Sequence, residues 1–220
     1  IAKPELVFEI PDVYTEERMY PPTRDLTSSS HTISGADYGN GLYETSDVSV
    51  YSWEGSADFS AFTLFKISET TGYHGGAGRY NSANGEYAHS ENIVAGYNGD
   101  WLKIKLPVAI KLTKYGFKQR SSGHTARTPG KYKIYGSNNN TDWDVLVHKT
   151  TISNNYSGQI SEPNDYFEET VSINNLYTYF VLVVNQLSGN DQYLNFDEWY
   201  IYGKELIPST TPPANKFRLL

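Results

Sequence analysis

Short runs of alternating apolar and polar residues, each ended by Gly, Asn, Pro or Ser, dominate the middle of this sequence. Trp101-Leu102-Lys103-Ile104-Lys105-Leu106 alternates with period two and stops at Pro107. Ile110-Lys111-Leu112-Thr113-Lys114-Tyr115-Gly116-Phe117 alternates again. Lys131-Tyr132-Lys133-Ile134-Tyr135-Gly136 is a further run, followed by the turn-forming Ser137-Asn138-Asn139-Asn140. In a strand, successive side chains point to opposite faces, so each run predicts a strand with one buried face. Tyr179-Phe180-Val181-Leu182-Val183-Val184 is more continuously apolar, as in a strand covered on both faces. Trp199-Tyr200-Ile201-Tyr202-Gly203 closes the patterned body. No segment carries a long helical period with caps, and no internal repeat is visible. The pattern predicts an all-β sandwich or barrel.

The chain has 220 residues, a length that one β-sandwich can occupy. Aromatics make up 15% of it and include 19 Tyr, which suits strand surfaces and binding sites alike, joining an apolar ring to a polar tip. The net charge is −7 and there is no basic run, which argues against nucleic acid and against an anionic membrane surface. No stretch approaches the ~20 apolar residues of a spanning helix, so no membrane insertion is expected. The absence of cysteine excludes a disulfide framework, a zinc-thiolate site and a cysteine nucleophile. Asn139-Asn140-Thr141 and Asn155-Tyr156-Ser157 match the N-glycosylation pattern, which an Asn-rich chain also produces by chance.

Residues 1–26 hold Pro4, Pro11, Pro21 and Pro22 and the charged run Glu16-Glu17-Arg18. They read as an extended lead-in or linker. Residues 205–220 contain Pro208 and Pro212-Pro213 and read as a proline-rich tail. The sandwich is placed between them, at residues 27–204. The chain starts at Ile1, so it reads as a portion of a longer or processed protein.

Gly99-Asp100-Trp101 with its strand, the second strand leading to Arg120, Tyr135-Gly136-Ser137-Asn138 with Trp143, and Phe196-Asp197-Glu198-Trp199 ending in Tyr202-Gly203 form an ordered set. This set resembles the discoidin-like family, also called coagulation factor five/eight type C domains, within the galactose-binding-domain-like folds. The resemblance implies an all-β, discoidin-like jelly-roll β-sandwich of two antiparallel sheets, with extended proline-containing termini. Trp101 and Trp143 are large enough to bridge sheets packed ~10 Å apart. Tyr20-Pro21-Pro22, Ile33-Ser34-Gly35, Tyr38-Gly39-Asn40-Gly41 and Tyr43-Glu44-Thr45-Ser46 are similar to variants from virion surface proteins of large DNA viruses and from marine microbial proteins, implying an extracellular or virion-surface location. Many family members hold a structural calcium ion. Here Lys66 falls where an acidic ligand stands, and would repel the ion, and Tyr73 falls where a Trp stands; whether calcium binds is therefore open, and Thr70, Glu198 and backbone carbonyls are the ligands it would use.

Nothing in the chain frames an enzyme. No nucleophile-elbow motif surrounds any Ser, and the His residues lack metal-ligand spacing. Gly75-Gly76-Ala77-Gly78-Arg79 is glycine-rich but lacks the strand-before, helix-after context of a phosphate loop, and reads as a flexible surface loop. Asp197-Glu198 are neighbours on a strand, so they point to opposite faces and cannot flank one glycosidic bond. The resemblance implies a non-catalytic module that binds a glycan or glycoprotein through loops at one end. The candidate ligand contacts are Trp53, Tyr73, His74, Arg79, Tyr80, Tyr97, Arg120, His124 and Arg127, which supply aromatic faces and polar groups in loops. Which of them converge is open. The alternative is a structural capsid-associated module that contacts neighbouring capsid or surface proteins through its proline-rich ends.

Overall fold

The structure, a computed structural model, describes residues 11–50, 59–66, 72–120, 124–152 and 166–208. Its strands in chain order are β1 Val13–Tyr14, β2 Arg18–Tyr20, β3 Ser30–Ile33, β4 Gly41–Asp47, β5 Tyr73–His74 and β6 Asp100–Lys118. Then come β7 Pro129–Ser137, β8 Asp144–Lys149, β9 Tyr166–Thr170, β10 Tyr177–Leu187, β11 Asn195–Phe196 and β12 Glu198–Ile207. Every pairing is antiparallel.

The 19-residue β6 belongs to both layers. Its first part pairs with β4 on one side and β10 on the other, and β10 continues to β7 and β8. Its second part pairs with β9 and β12, and β12 carries β1 and β2. The two runs flanking Pro107 are therefore one strand, not two. Pro107 is tolerated because the residues between Lys105 and Ile110 have no register partner among the described strands. A residue without a backbone N–H breaks no ladder there. The strand crosses from one layer to the other at this point.

The alternation read in the sequence sorts side chains as expected. Leu102, Ile104 and Leu106 are buried in the main core, with Leu112, Tyr115 and Phe117 further along β6. On β10, Phe180, Leu182 and Val184 join this core, while Val181 and Val183 face outward into a second cluster. Ile93, Val94 and Tyr97 from the loop before β6 cover that outer cluster. This explains the continuous apolar run: both faces of β10 are buried. Trp101 and Trp143 lie in the outer cluster and do not bridge the layers. Trp199 takes that place, 1% exposed and with its ring 5.8 Å from Phe65. The register decides it, because Trp101 is one residue out of phase with Leu102.

Residues 11–20 are largely extended, and the segment through Leu26 is also packed on the sandwich. β1 and β2 form ladders with β12, and Tyr20 and Leu26 are fully buried in the core. Asn139 uses its side chain within its own turn: Oδ1 accepts the N–H groups of Thr141 and Asp142, and Nδ2 donates to Asp142. Among the described residues, no helix is long and apolar enough to cross a membrane.

Candidate functional site

Three connections meet at the end of the sandwich where β10 stops and β7 starts. They are the segment around β5, the β6–β7 loop and the β10–β11 loop. β5 pairs with β11, which sets His74 opposite Asn195. The Gly75 N–H donates to Leu194 O at 2.8 Å and extends this pairing. Asp191 organises the β10–β11 loop. Its Oδ1 accepts the N–H groups of Gln192 at 2.7 Å and Tyr193 at 3.2 Å. This is the side-chain-to-backbone turn that Asp favours. The other carboxylate oxygen accepts from Arg127 Nε at 2.9 Å. That bond lays the Arg127 guanidinium over the Tyr193 ring, 5.0 Å from its centroid. The His74 ring meets Tyr193 edge-to-face at 5.0 Å and is backed by Phe59 at 5.8 Å.

The polar rim is fixed in the same way. Arg120 Nη1 donates to Asn195 Oδ1 at 3.2 Å, and Asn195 Nδ2 donates to Tyr73 O at 2.6 Å. His124 precedes the short 3-10 turn Thr125–Arg127, and its carbonyl accepts the Arg127 N–H at 3.1 Å. Burial pulls the His74 pKa below its ordinary value; the hydrogen bond to Gly75 O opposes, and Arg127, Arg120 and His124 push it down further. His124 is lowered by burial, then by Arg127 and Arg120, against Asp191. Both rings are neutral at pH 7. Because a carbonyl only accepts, the 2.9 Å contact with Gly75 O puts the His74 proton on Nδ1 and its lone pair on Nε2. The cluster thus offers planar donor forks, acceptors and one half-buried aromatic ring within one set of loops.

Of the residues singled out in the sequence, His74, Arg120, His124 and Arg127 converge here. Tyr73 does not: it is fully buried, with its hydroxyl donating to Ser49 O at 2.6 Å. Tyr80 is also a core residue, bonded to Val184 O at 3.0 Å. Arg79 is spent on a buried ion pair with Asp100 at 2.9 Å, a second pair with Glu91 and a bond to the Tyr87 hydroxyl. The glycine-rich loop is accordingly anchored rather than loose; Gly75 is buried, and a Cβ there would meet Asp100 Oδ2 at 3.0 Å. Tyr97 lies on the outer face, with Lys133 Nζ 4.3 Å from its ring centroid. Trp53 and Thr70 lie outside the described residues. Sequence reasoning missed Tyr193, Asp191 and Asn195. Their signal was an aromatic inside the polar turn Asn190-Asp191-Gln192-Tyr193, just before the closing strand.

Asp197 sits beside this end, and burial raises its pKa to about 6 against the pull of Lys118 and Arg120. Its folded pKa exceeds the ordinary 3.8, so the folded state binds the extra proton and its stability falls as pH rises through that interval. Asp197→Asn is expected to raise stability at pH 7.5 by about 1 kcal/mol, after discounting the shift for solvent screening. The gain should vanish near pH 4, as read by urea denaturation at both pH values.

Glu198 does not fit the calcium role implied by the resemblance. Its carboxylate carries two cations already: Arg24 Nη2 at 2.7 Å on Oε2 and Lys118 Nζ at 3.2 Å on Oε1. Among the described residues, no three His, Cys, Asp or Glu side chains group to hold a metal.

Solved structures share this architecture. A family 32 carbohydrate-binding module from C. perfringens NanJ, in complex with galactose, superposes with a TM-score of 0.50 at 15% identity, covering 84% of this chain and 98% of its own. The C-terminal domain of a chitobiase from Bacteroides fragilis gives a TM-score of 0.51 at 15% identity, covering 76% and 95%. An F5/8 type C domain, also from Bacteroides fragilis, gives 0.48 at 18% identity, covering 74% and 93%. The fold is a discoidin-like jelly roll. No protein-family model and no curated protein matches the sequence. In this jelly roll the Tyr193 cluster occupies loops at one end, and the strands beneath hold it in register.

Proposed function

We propose that this protein is a non-catalytic carbohydrate-binding module, acting outside the cell on a glycan or glycoprotein. The observation that carries the reading is the half-buried Tyr193, gripped by Arg127 and edged by His74, in a rim that also holds His124 and Arg120, the latter held by the buried Asn195. A pyranose ring has an apolar C–H face and a polar edge. Aromatic carbon takes the first, and a few fixed polar groups take the second. Arginine suits paired hydroxyls because its donors lie in one rigid plane. Asp191 holds Arg127 in place before any ligand arrives, so little side-chain freedom is lost on binding. The galactose complex of the similarly folded family 32 module supports the ligand class.

The alternative, a structural module, has one observation on its side. Val13, Leu206 and Ile207 are exposed together where β1 meets the end of β12, a small apolar strip suited to a neighbouring protein. The strip lies on other strands than the Tyr193 cluster, so the two readings are not exclusive.

A glycan array with the isolated domain tests the proposal. Binding to a defined set of glycans, lost in Arg127→Ala and retained in Tyr97→Ala, is the expected result. An array without signal, or binding insensitive to Arg127→Ala, would sink it.

A further inference from the structure

Two carbonyls and a carboxylate converge on one point between the lead-in segment and the closing strand. They are Leu64 O from the turn Ala61–Phe65, Trp199 O and Glu198 Oε2 from the start of β12. The Arg24 guanidinium fills that point. Nη2 is 2.8 Å from Leu64 O and 2.7 Å from Glu198 Oε2, and Nη1 is 3.3 Å from Trp199 O. The Tyr200 ring lies 4.4 Å from Cζ and closes one side. Arg24 is 3% exposed and Glu198 6%.

The partners of this arginine are unusual. A surface arginine meets carboxylates and water, whereas here two of three acceptors are backbone carbonyls from segments far apart in sequence. Clustered carbonyl and carboxylate oxygens are what a hard divalent cation such as calcium takes as ligands. The backbone at Arg24 is bent to deliver the side chain: φ is 47°, in the left-handed region that L residues seldom adopt. Strain of this kind persists where the surroundings over-determine it. Lys118, 3.2 Å from Glu198 Oε1, adds a second positive charge, so a metal ion approaching the carboxylate would face two cations.

We propose that Arg24 is a built-in cation, which ties the turn Ala61–Phe65 to the closing strand as a bound calcium ion would and makes the domain indifferent to divalent metals. The lead-in segment then has a definite task, carrying its own counter-ion into the body. Removing the guanidinium leaves an oxygen-lined space with a buried carboxylate, a latent site for a calcium ion.

Thermal denaturation of wild type, Arg24→Ala and Arg24→Lys tests this, each in EDTA, in millimolar calcium chloride and in sodium chloride of equal ionic strength. Wild type should melt at the same temperature in all three. Arg24→Ala should melt lower in EDTA and recover part of the loss in calcium but not in sodium chloride. Arg24→Lys keeps the charge without the planar fork and should lie between, which keeps the test decisive if Arg24→Ala does not fold. Calcium raising the melting temperature of wild type would overturn the proposal. So would Arg24→Ala melting like wild type, or failing to respond to calcium.

Discussion

Arg79→Ala should destabilise the domain by about 3–5 kcal/mol at pH 8, the usual cost of stranding a buried charge. Asp100 is fully buried, and one of its oxygens depends on Arg79 Nε at 2.9 Å. The other oxygen is buried without a partner among the described residues. Even with Arg79 present, burial holds the Asp100 pKa at about 6. Arg79 is the main force pulling it down, so its loss raises the value further. A folded pKa above the ordinary 3.8 means a penalty that is full above the folded pKa and fades as the carboxylate takes up its proton. The loss should therefore be smaller at pH 5 than at pH 8. Urea denaturation at both pH values decides it. An equal loss at both would show that Asp100 is not the group left in difficulty. The Arg79–Glu91 pair contributes little, because Glu91 is largely solvated.

Tyr193→Ala should weaken glycan binding at least tenfold, about 1.4 kcal/mol or more, with little change in melting temperature. The ring is half-buried and lies outside the main core, so folding depends on it little. Its removal takes away the apolar face offered to the sugar and the surface on which Arg127 rests. Titration calorimetry against the best array ligand measures the loss. Tyr97→Ala is the control: it removes an aromatic of similar exposure from the outer face of β10 and should leave affinity unchanged. Equal losses in both variants would place the ligand elsewhere.

Tyr73 shows why such controls need the structure. In sequence it stands beside His74 in a polar, glycine-rich stretch and looks like a ligand contact. In the fold it is fully buried, because β5 alternates like any strand and sends His74 and Tyr73 to opposite sides. Tyr73→Ala would report on the core, not on binding. Arg79 was misleading for a different reason. Its partner Asp100 is 21 residues away, and nothing local announces that the two meet.

The period-two runs on β6, β7, β10 and β12 were sufficient to specify an all-β sandwich, since alternation is a local property of the chain and one-sided burial enforces it. Four of the nine loop residues singled out in the sequence gather at one end, but which four was not legible there. Only the tertiary structure decided that Pro107 lies within a strand, that Trp199 rather than Trp101 fills the core, and that Tyr193 is the ring at the centre of the cluster. It alone decided the occupant of the Glu198 carboxylate. The physical reason is the same in each case. Strand pattern is set by neighbours two residues apart, whereas a site is set by side chains such as Arg24 and Glu198, which only the closing of the sandwich brings within 2.7 Å.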